Sequence, residues 1–398
     1  MTSQGATGWS LVSRRLYLVA MAVFLVTIGI GILNGLDVVS FTRDALLAHV
    51  HSGTLGWITL SIVATAFWMF RAAEPRLALA LSVLVPVYVL AFASGNLPAR
   101  AIGGSLLLLA ILWILVWVWQ AYRSGTPTLP RLAVALGVTT FTYGAIVGVL
   151  LQVQGALNQS WLTGDAIGAH AAAMVFGYVA LVAMGVIEWR LRGSTLLTRG
   201  GVVQLVALFV GGVILTVGLL AGAGQAAGGL YLLAEIIAIG LFVGRVWPTA
   251  LRVPWTSSAP TRHLGAAAIW IIVAMVLLMI LIIIFISAKG DTASIPTGPL
   301  IASDHSVFIG VMTNLTLGVA TMLVGDRGDR WPVARHLVFW GLNGGLAIFV
   351  VGLITDVAGI KRVGAPIMGT AILIGLAILA TSIRATMQRG DEIVPADS

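Results

Sequence analysis

Apolar residues gather along this chain in twelve long blocks, at roughly 16–36, 45–70, 76–95, 101–122, 132–152, 165–189, 202–223, 228–248, 264–287, 298–324, 336–356 and 364–386, with short polar links between them. A helix rising 1.5 Å per residue over such a block crosses the ~30 Å hydrocarbon core of a bilayer. The blocks are too long for barrel strands, and lipid offers no water to satisfy open backbone groups, so helices are the remaining solution. The pattern therefore predicts an all-α polytopic membrane protein with twelve transmembrane helices. No link is long enough for a soluble domain. Residues 1–398 read as one twelve-helix membrane domain whose polar tail, 387–398, is expected to be mobile.

Polar residues break the second, sixth and tenth blocks in a repeated way. These segments contain His49-Val-His51-Ser-Gly-Thr-Leu-Gly56, Gly-Ala-His170 followed by Gly177, and Asp-His305 followed by Gly310. A small residue stands eight positions on each time: Ala64, Gly185 and Gly318. Aligned on the first glycine, His49 and His170 sit seven residues before it, and His51 and His305 sit five before it. A repeat every four helices predicts three pseudo-repeated four-helix arcs, about 16–122, 132–248 and 264–386.

Composition narrows the function classes. The chain is 59% apolar and 9% charged, with mean hydropathy +1.04, which excludes an ordinary soluble domain. Its net charge of +8 reports orientation and not a nucleic-acid partner. With the N-terminus inside, only Arg43, Arg100, Lys289, Lys361 and Arg362 of the 22 basic residues fall in outer segments. This positive-inside bias predicts a multi-pass protein of the cell membrane with both termini cytoplasmic, and puts the repeated histidines in the outer leaflet. Cysteine is absent, so disulfides, covalently attached c-type haem, iron–sulfur clusters and thiolate copper centres are excluded.

The four repeated histidines are four of only six in the chain. Imidazole is costly in lipid, and its recurrence points to a metal or haem site. For any one of them alone, a structural bond between helices is as good a reading. Residues two apart on a helix point about 200° away from each other, so His49 and His51 must serve different neighbours. Matched depth pairs His51 with His305 as axial ligands of one haem b, and His49 with His170 as a second haem or a copper site. Trp57 and Tyr178, each following its glycine, are placed to flank a porphyrin. His263 and His336 adjoin Arg262 and Arg335 at the opposite end and read as solvated interfacial residues. Asp304 reads as a helix cap or as a carboxylate orienting a ligand imidazole. Glu235, at mid-membrane, reads as functional or as a protonated group bonded to a neighbouring helix.

The stretch Ala48–Trp57, with its His-x-His-x-x-x-x-Gly-Trp pattern, resembles the second helix of the haem–copper oxidase subunit I superfamily, nearest the cbb-type oxidase and nitric-oxide-reductase branch. The resemblance implies the same twelve-helix, three-arc architecture and a low-spin haem b held by His51 and His305. It also implies that Lys361 and Arg362, between the last two helices, face the haem propionates. The chain departs from that family where catalysis is concerned. Its seventh helix has no histidine for copper, Ser303 replaces the first histidine of the tenth helix, and Met174 stands where an oxidase keeps tyrosine after His170. The resemblance thus implies a degenerate member. Its expected role is electron transfer, or binding and reduction of a small gas (NO or O2), as an oxidoreductase if it is an enzyme. A redox partner or gas ligand, membrane lipids, and an additional redox subunit or a second copy are the partners to expect. Two rival roles stand beside it: a non-enzymatic NO-response haem/copper protein similar to NnrS, whose His-Glu-Met motif is missing here, and a haem or copper transporter.

Overall fold

A computed structural model describes residues 4–193, 196–325 and 331–389. Twelve long helices account for nearly all of them: α1 (Gln4–Gly35), α2 (Arg43–Phe70), α3 (Pro75–Ala93), α4 (Leu97–Ser124), α5 (Leu129–Ala156), α6 (Ala166–Leu191), α7 (Arg199–Leu220), α8 (Gly224–Ala250), α9 (Thr261–Ser287), α10 (Thr297–Val324), α11 (Pro332–Ile354) and α12 (Ala358–Arg389). No strand occurs among the described residues. All twelve are long and apolar enough to span a bilayer, and the chain is a multi-pass membrane protein. Because α12 runs to Arg389, the first three residues of the expected tail are helical; 390–398 lie outside the described residues.

Local chemistry fixes where the helices begin. The side chains of Thr42, Asn96, Thr128, Asp165 and Thr198 each accept from the backbone N–H three residues on, satisfying donors left open at a helix start. Proline opens α3 and α11, where its missing N–H costs nothing.

The three histidine helices are the inner ones. In α2, α6 and α10, 83%, 83% and 78% of the central window is buried, against 33–56% for the other nine. Those nine form an outer layer, closed where α12 packs on α1. The repeated glycines are contact points with the preceding helix. A Cβ on Gly56 would overlap the Val23 side chain of α1, one on Gly177 would overlap Thr140 of α5, and one on Gly310 would run into Trp270 of α9. Small residues permit this close approach of backbones in lipid. Gly56→Val is accordingly expected to lower stability by about 1–3 kcal/mol through overpacking, read as an earlier unfolding transition in detergent.

The inner helices share a further feature. Within three residues after the histidines, Ser52–Thr59, Ala173–Val179 and Ser306–Thr313 are π-helical. One extra residue per turn widens the helix there, a distortion that recurs at functional sites. In two of the three, a threonine hydroxyl donates to the carbonyl five residues back: Thr59 to Thr54 O (2.9 Å) and Thr313 to Phe308 O (3.1 Å).

Polar locks hold the end of the bundle opposite the histidines. His263 is buried and its Nδ1–H donates to Asn314 Oδ1 (2.8 Å); Asn314 pairs with Asn343, which also accepts from Trp270 Nε1. The solvated reading of His263 is therefore corrected: neighbouring Arg262 turns inward too, bonded to His336 Nδ1 and to the Arg335 carbonyl.

Candidate functional site

A cavity of about 590 Å³ opens between α1, α2, α10, α11 and α12. That is within the range of about 300–1,000 Å³ usual for small-molecule and cofactor sites. His49 and His305 both line it, together with Trp57, Asp304, Phe349 and, at its end, Lys361 and Arg362. The walls are largely apolar, with glycines such as Gly31, Gly53 and Gly369 leaving room.

Each imidazole is fixed through one ring nitrogen. His49 Nδ1–H donates to the Thr27 carbonyl of α1 (2.9 Å), and its ring lies over Gly31, one turn further along α1. His305 Nδ1–H donates to the Ile301 carbonyl in its own helix (2.9 Å), with its ring edge-on to Phe349 (5.0 Å). A carbonyl can only accept, so each Nδ1 carries the proton and each Nε2 presents a lone pair. Neither Nε2 has a hydrogen-bond partner among the described residues. This is how a ligating histidine is held: the distal N–H on a carbonyl, the other nitrogen left for the metal.

The structure arranges these histidines otherwise than the pairing read from register. His51 does not line this cavity; it leaves α2 on another side, stacked on Phe92 of α3 (3.8 Å) and edge-on to Tyr88 (6.1 Å). Its Nδ1–H donates to Leu47 O (2.8 Å), and it lies within electrostatic reach of His170 and Arg100. His170, on α6, donates from Nδ1 to the Gly144 carbonyl of α5 (2.8 Å) and packs over Gly148. The structure thus puts His49 and His305 on one cavity and turns His51 to another side of α2. Depth along a helix says nothing of azimuth. Thr27, reaching from α1, fixes which of the two α2 histidines turns toward the α1 side.

Of the two aromatics expected at a porphyrin, Trp57 lines the cavity, stacked on Phe24 (4.7 Å) with Nε1 donating to Thr313 Oγ1 (3.0 Å). Tyr178 does not line it: it is buried and stacked on Phe141 of α5 (4.5 Å), as Trp57 is stacked on Phe24 of α1. Lys361 and Arg362 line the cavity, each held by an exposed aspartate, Asp356 (3.0 Å) and Asp37 (2.7 Å). Asp304 lines the cavity but bonds neither imidazole and caps no helix. Glu235 is fully buried, and neither carboxylate oxygen meets a hydrogen-bond partner among the described residues, so the bonded one of its two readings finds no partner there. Asp37, Arg100 and the aromatics Phe92 and Phe349 escaped the sequence reading. Arg100 carried a signal, since it stands at the start of its helix as Lys361 does.

No protein-family model matches this sequence, and no curated protein matches it.

Proposed function

We propose that this protein is a membrane-embedded b-type haem protein that carries electrons. One observation carries the reading: two imidazoles, each with Nδ1 fixed on a backbone carbonyl and Nε2 unpartnered, line one apolar cavity of about 590 Å³ whose end holds Lys361 and Arg362. A flat macrocycle with an iron centre and two carboxylates matches each element. His49 and His305 would supply both axial ligands, Trp57 and Phe349 part of the apolar walls, and Lys361 and Arg362 charge-assisted bonds to the propionates. Bound there, haem would supply a one-electron Fe(III)/Fe(II) couple.

What the chain itself contributes is placement. The backbone bonds hold both imidazoles in the tautomer that binds metal, and the apolar lining excludes water. Exchange of Lys361 and Arg362 from their exposed aspartates to buried carboxylates would neutralise the negative charge at the cavity end. With an imidazole supplied from each of two helices, the site would favour electron transfer over NO or O2 chemistry. The likeness of residues 48–57 to the haem–copper oxidase subunit I superfamily supports the same reading, with His49 in place of His51 as the ligand from α2. The positive-inside bias supports cytoplasmic termini and a haem near the outer face.

Purified protein is expected to show a reduced-minus-oxidised spectrum with the sharp α-band of a six-coordinate b-type haem, unchanged by carbon monoxide. A colourless, iron-free preparation that stays so after incubation with hemin would overturn the proposal. A carbon-monoxide shift of the reduced spectrum would replace electron transfer with gas binding.

A further inference from the structure

The hydrogen bonds and packing partners of His51 and His170 correspond to those of His305 and His49, although His51 is stacked on its phenylalanine and His305 is edge-on. His170 stands to α5 as His49 stands to α1. Each donates from Nδ1 to a carbonyl of the preceding helix, Gly144 O (2.8 Å) and Thr27 O (2.9 Å), and each lays its ring over the glycine four residues further on, Gly148 and Gly31. His51 stands to α3 as His305 stands to α11. Each donates from Nδ1 to the carbonyl four residues back in its own helix, Leu47 O (2.8 Å) and Ile301 O (2.9 Å), and each ring meets a phenylalanine of the following helix, Phe92 and Phe349. The basic residues correspond as well. Lys361 is the fourth residue of α12 and Arg100 the fourth of α4. Arg100 lies over the Phe92 ring (4.9 Å) that stacks on His51, bonded to the Phe92 carbonyl (2.8 Å) and paired with Asp44. Both imidazoles keep part of their surface uncovered, and neither Nε2 has a hydrogen-bond partner among the described residues.

The third equivalent place, between α6 and α10, is an internal control. Ser303 stands there seven residues before Gly310 and its hydroxyl reaches the Ala274 carbonyl of α9 (3.4 Å), as the histidines reach theirs. Four residues beyond Ala274 comes buried Leu278 in place of glycine. Ala172 stands five before Gly177 in place of histidine, and the fourth residue of α8 is Ala227, not a base. Ligand, glycine and base are lost together in this place and are present together in the other two. That is the pattern of one binding function, and accidental polar residues would not vary as a set.

We propose that His51 and His170 are the axial ligands of a second haem, with Arg100 facing its propionates. The inference rests on the haem reading of the His49–His305 cavity and extends it to a two-haem protein. The two sites lie on different sides of α2, fed by histidines two residues apart, so electrons pass laterally around one helix at a single depth of the membrane.

The test is the haem-to-protein ratio by pyridine haemochromogen, with iron and copper by mass spectrometry, on the full chain. Wild type is expected to hold about two haems; His170→Ala and His305→Ala about one each; the double variant none. The haem remaining in each single variant reports that the protein has folded. Arg100→Gln should keep both haems and lower the midpoint potential of one only, the one missing from His170→Ala, because a cation favours the reduced iron. One haem in wild type, retained in His170→Ala and gone in His305→Ala, overturns the second site and leaves the first standing. No haem in wild type overturns both. Copper at one per chain that disappears in His170→Ala replaces the second haem with a copper centre.

Discussion

His305→Ala is expected to empty the α1–α2–α10 cavity of haem while the helical bundle stays folded. The imidazole is held by a bond within its own helix, so its removal breaks no tie between helices. It lines a cavity that already exists, and truncation enlarges that space without exposing core to lipid. The loss should therefore appear in the spectrum and barely in the unfolding transition of the apoprotein. His263→Ala gives the opposite result. That ring is buried, far from the cavity, and its Nδ1–H satisfies Asn314. Losing that bond costs about 1 kcal/mol, because Asn314 Oδ1 keeps its longer bond from Asn343 (3.2 Å), and haem content is unchanged. Hemin and free imidazole added together to His305→Ala should restore the lost six-coordinate haem, since truncation leaves the place of the ring open on the cavity. A variant that loses stability, and whose spectrum imidazole does not recover, would make His305 a structural residue.

The contrast between these two histidines marks how far the sequence could be read. The twelve helices were plain, because apolar length in lipid admits one backbone solution, and the observed ends differ from the expected ones by six residues or fewer except at the start of α1, which begins twelve residues earlier. The four site histidines were legible from their recurrence against glycine. Their partners were not. His49 and His51 point to different sides of α2, and only the packing of α1 against α2 decides that His49 faces the cavity shared with α10. His263 was misread because its arginine neighbour suggested solvent, whereas Arg262 is itself enclosed against Phe339 (4.6 Å). The π-helical turns left no trace in composition: the residues in them are ordinary helix residues, and the extra residue per turn emerges from packing. Tyr178 repeats the packing of Trp57, each stacked on a phenylalanine of the preceding helix, yet only Trp57 borders the cavity.

Glu188→Leu should be the most destabilising single change at the arginine-rich end. The Glu188 carboxylate, on α6, pairs with Arg245 of α8 and with Arg192 one turn on (3.1 Å), while Arg245 also donates to Gln204 Oε1 of α7 (2.8 Å). The Glu188 side chain is 3% exposed and that of Arg245 14%, so the ion pair joins three helices away from water. Removing the acid leaves Arg245 charged and nearly enclosed, which for buried pairs costs about 3–5 kcal/mol. Arg192, at 27%, can turn to the interface and adds little. The surface pair Lys361–Asp356, with its acid 90% exposed, sets the scale: breaking it costs at most about 1 kcal/mol. The size of the loss should come from the stranded charge and not from a lost attraction. Glu188→Leu combined with Arg245→Met should then unfold later than Glu188→Leu alone, as when a buried pair is exchanged for apolar groups of similar size. Unfolding of the wild type and both variants in one detergent reads the comparison directly. A double variant no more stable than the single one would mean that the bridge acts by tying α6 to α8, since the Arg245→Met change relieves the charge without restoring the tie.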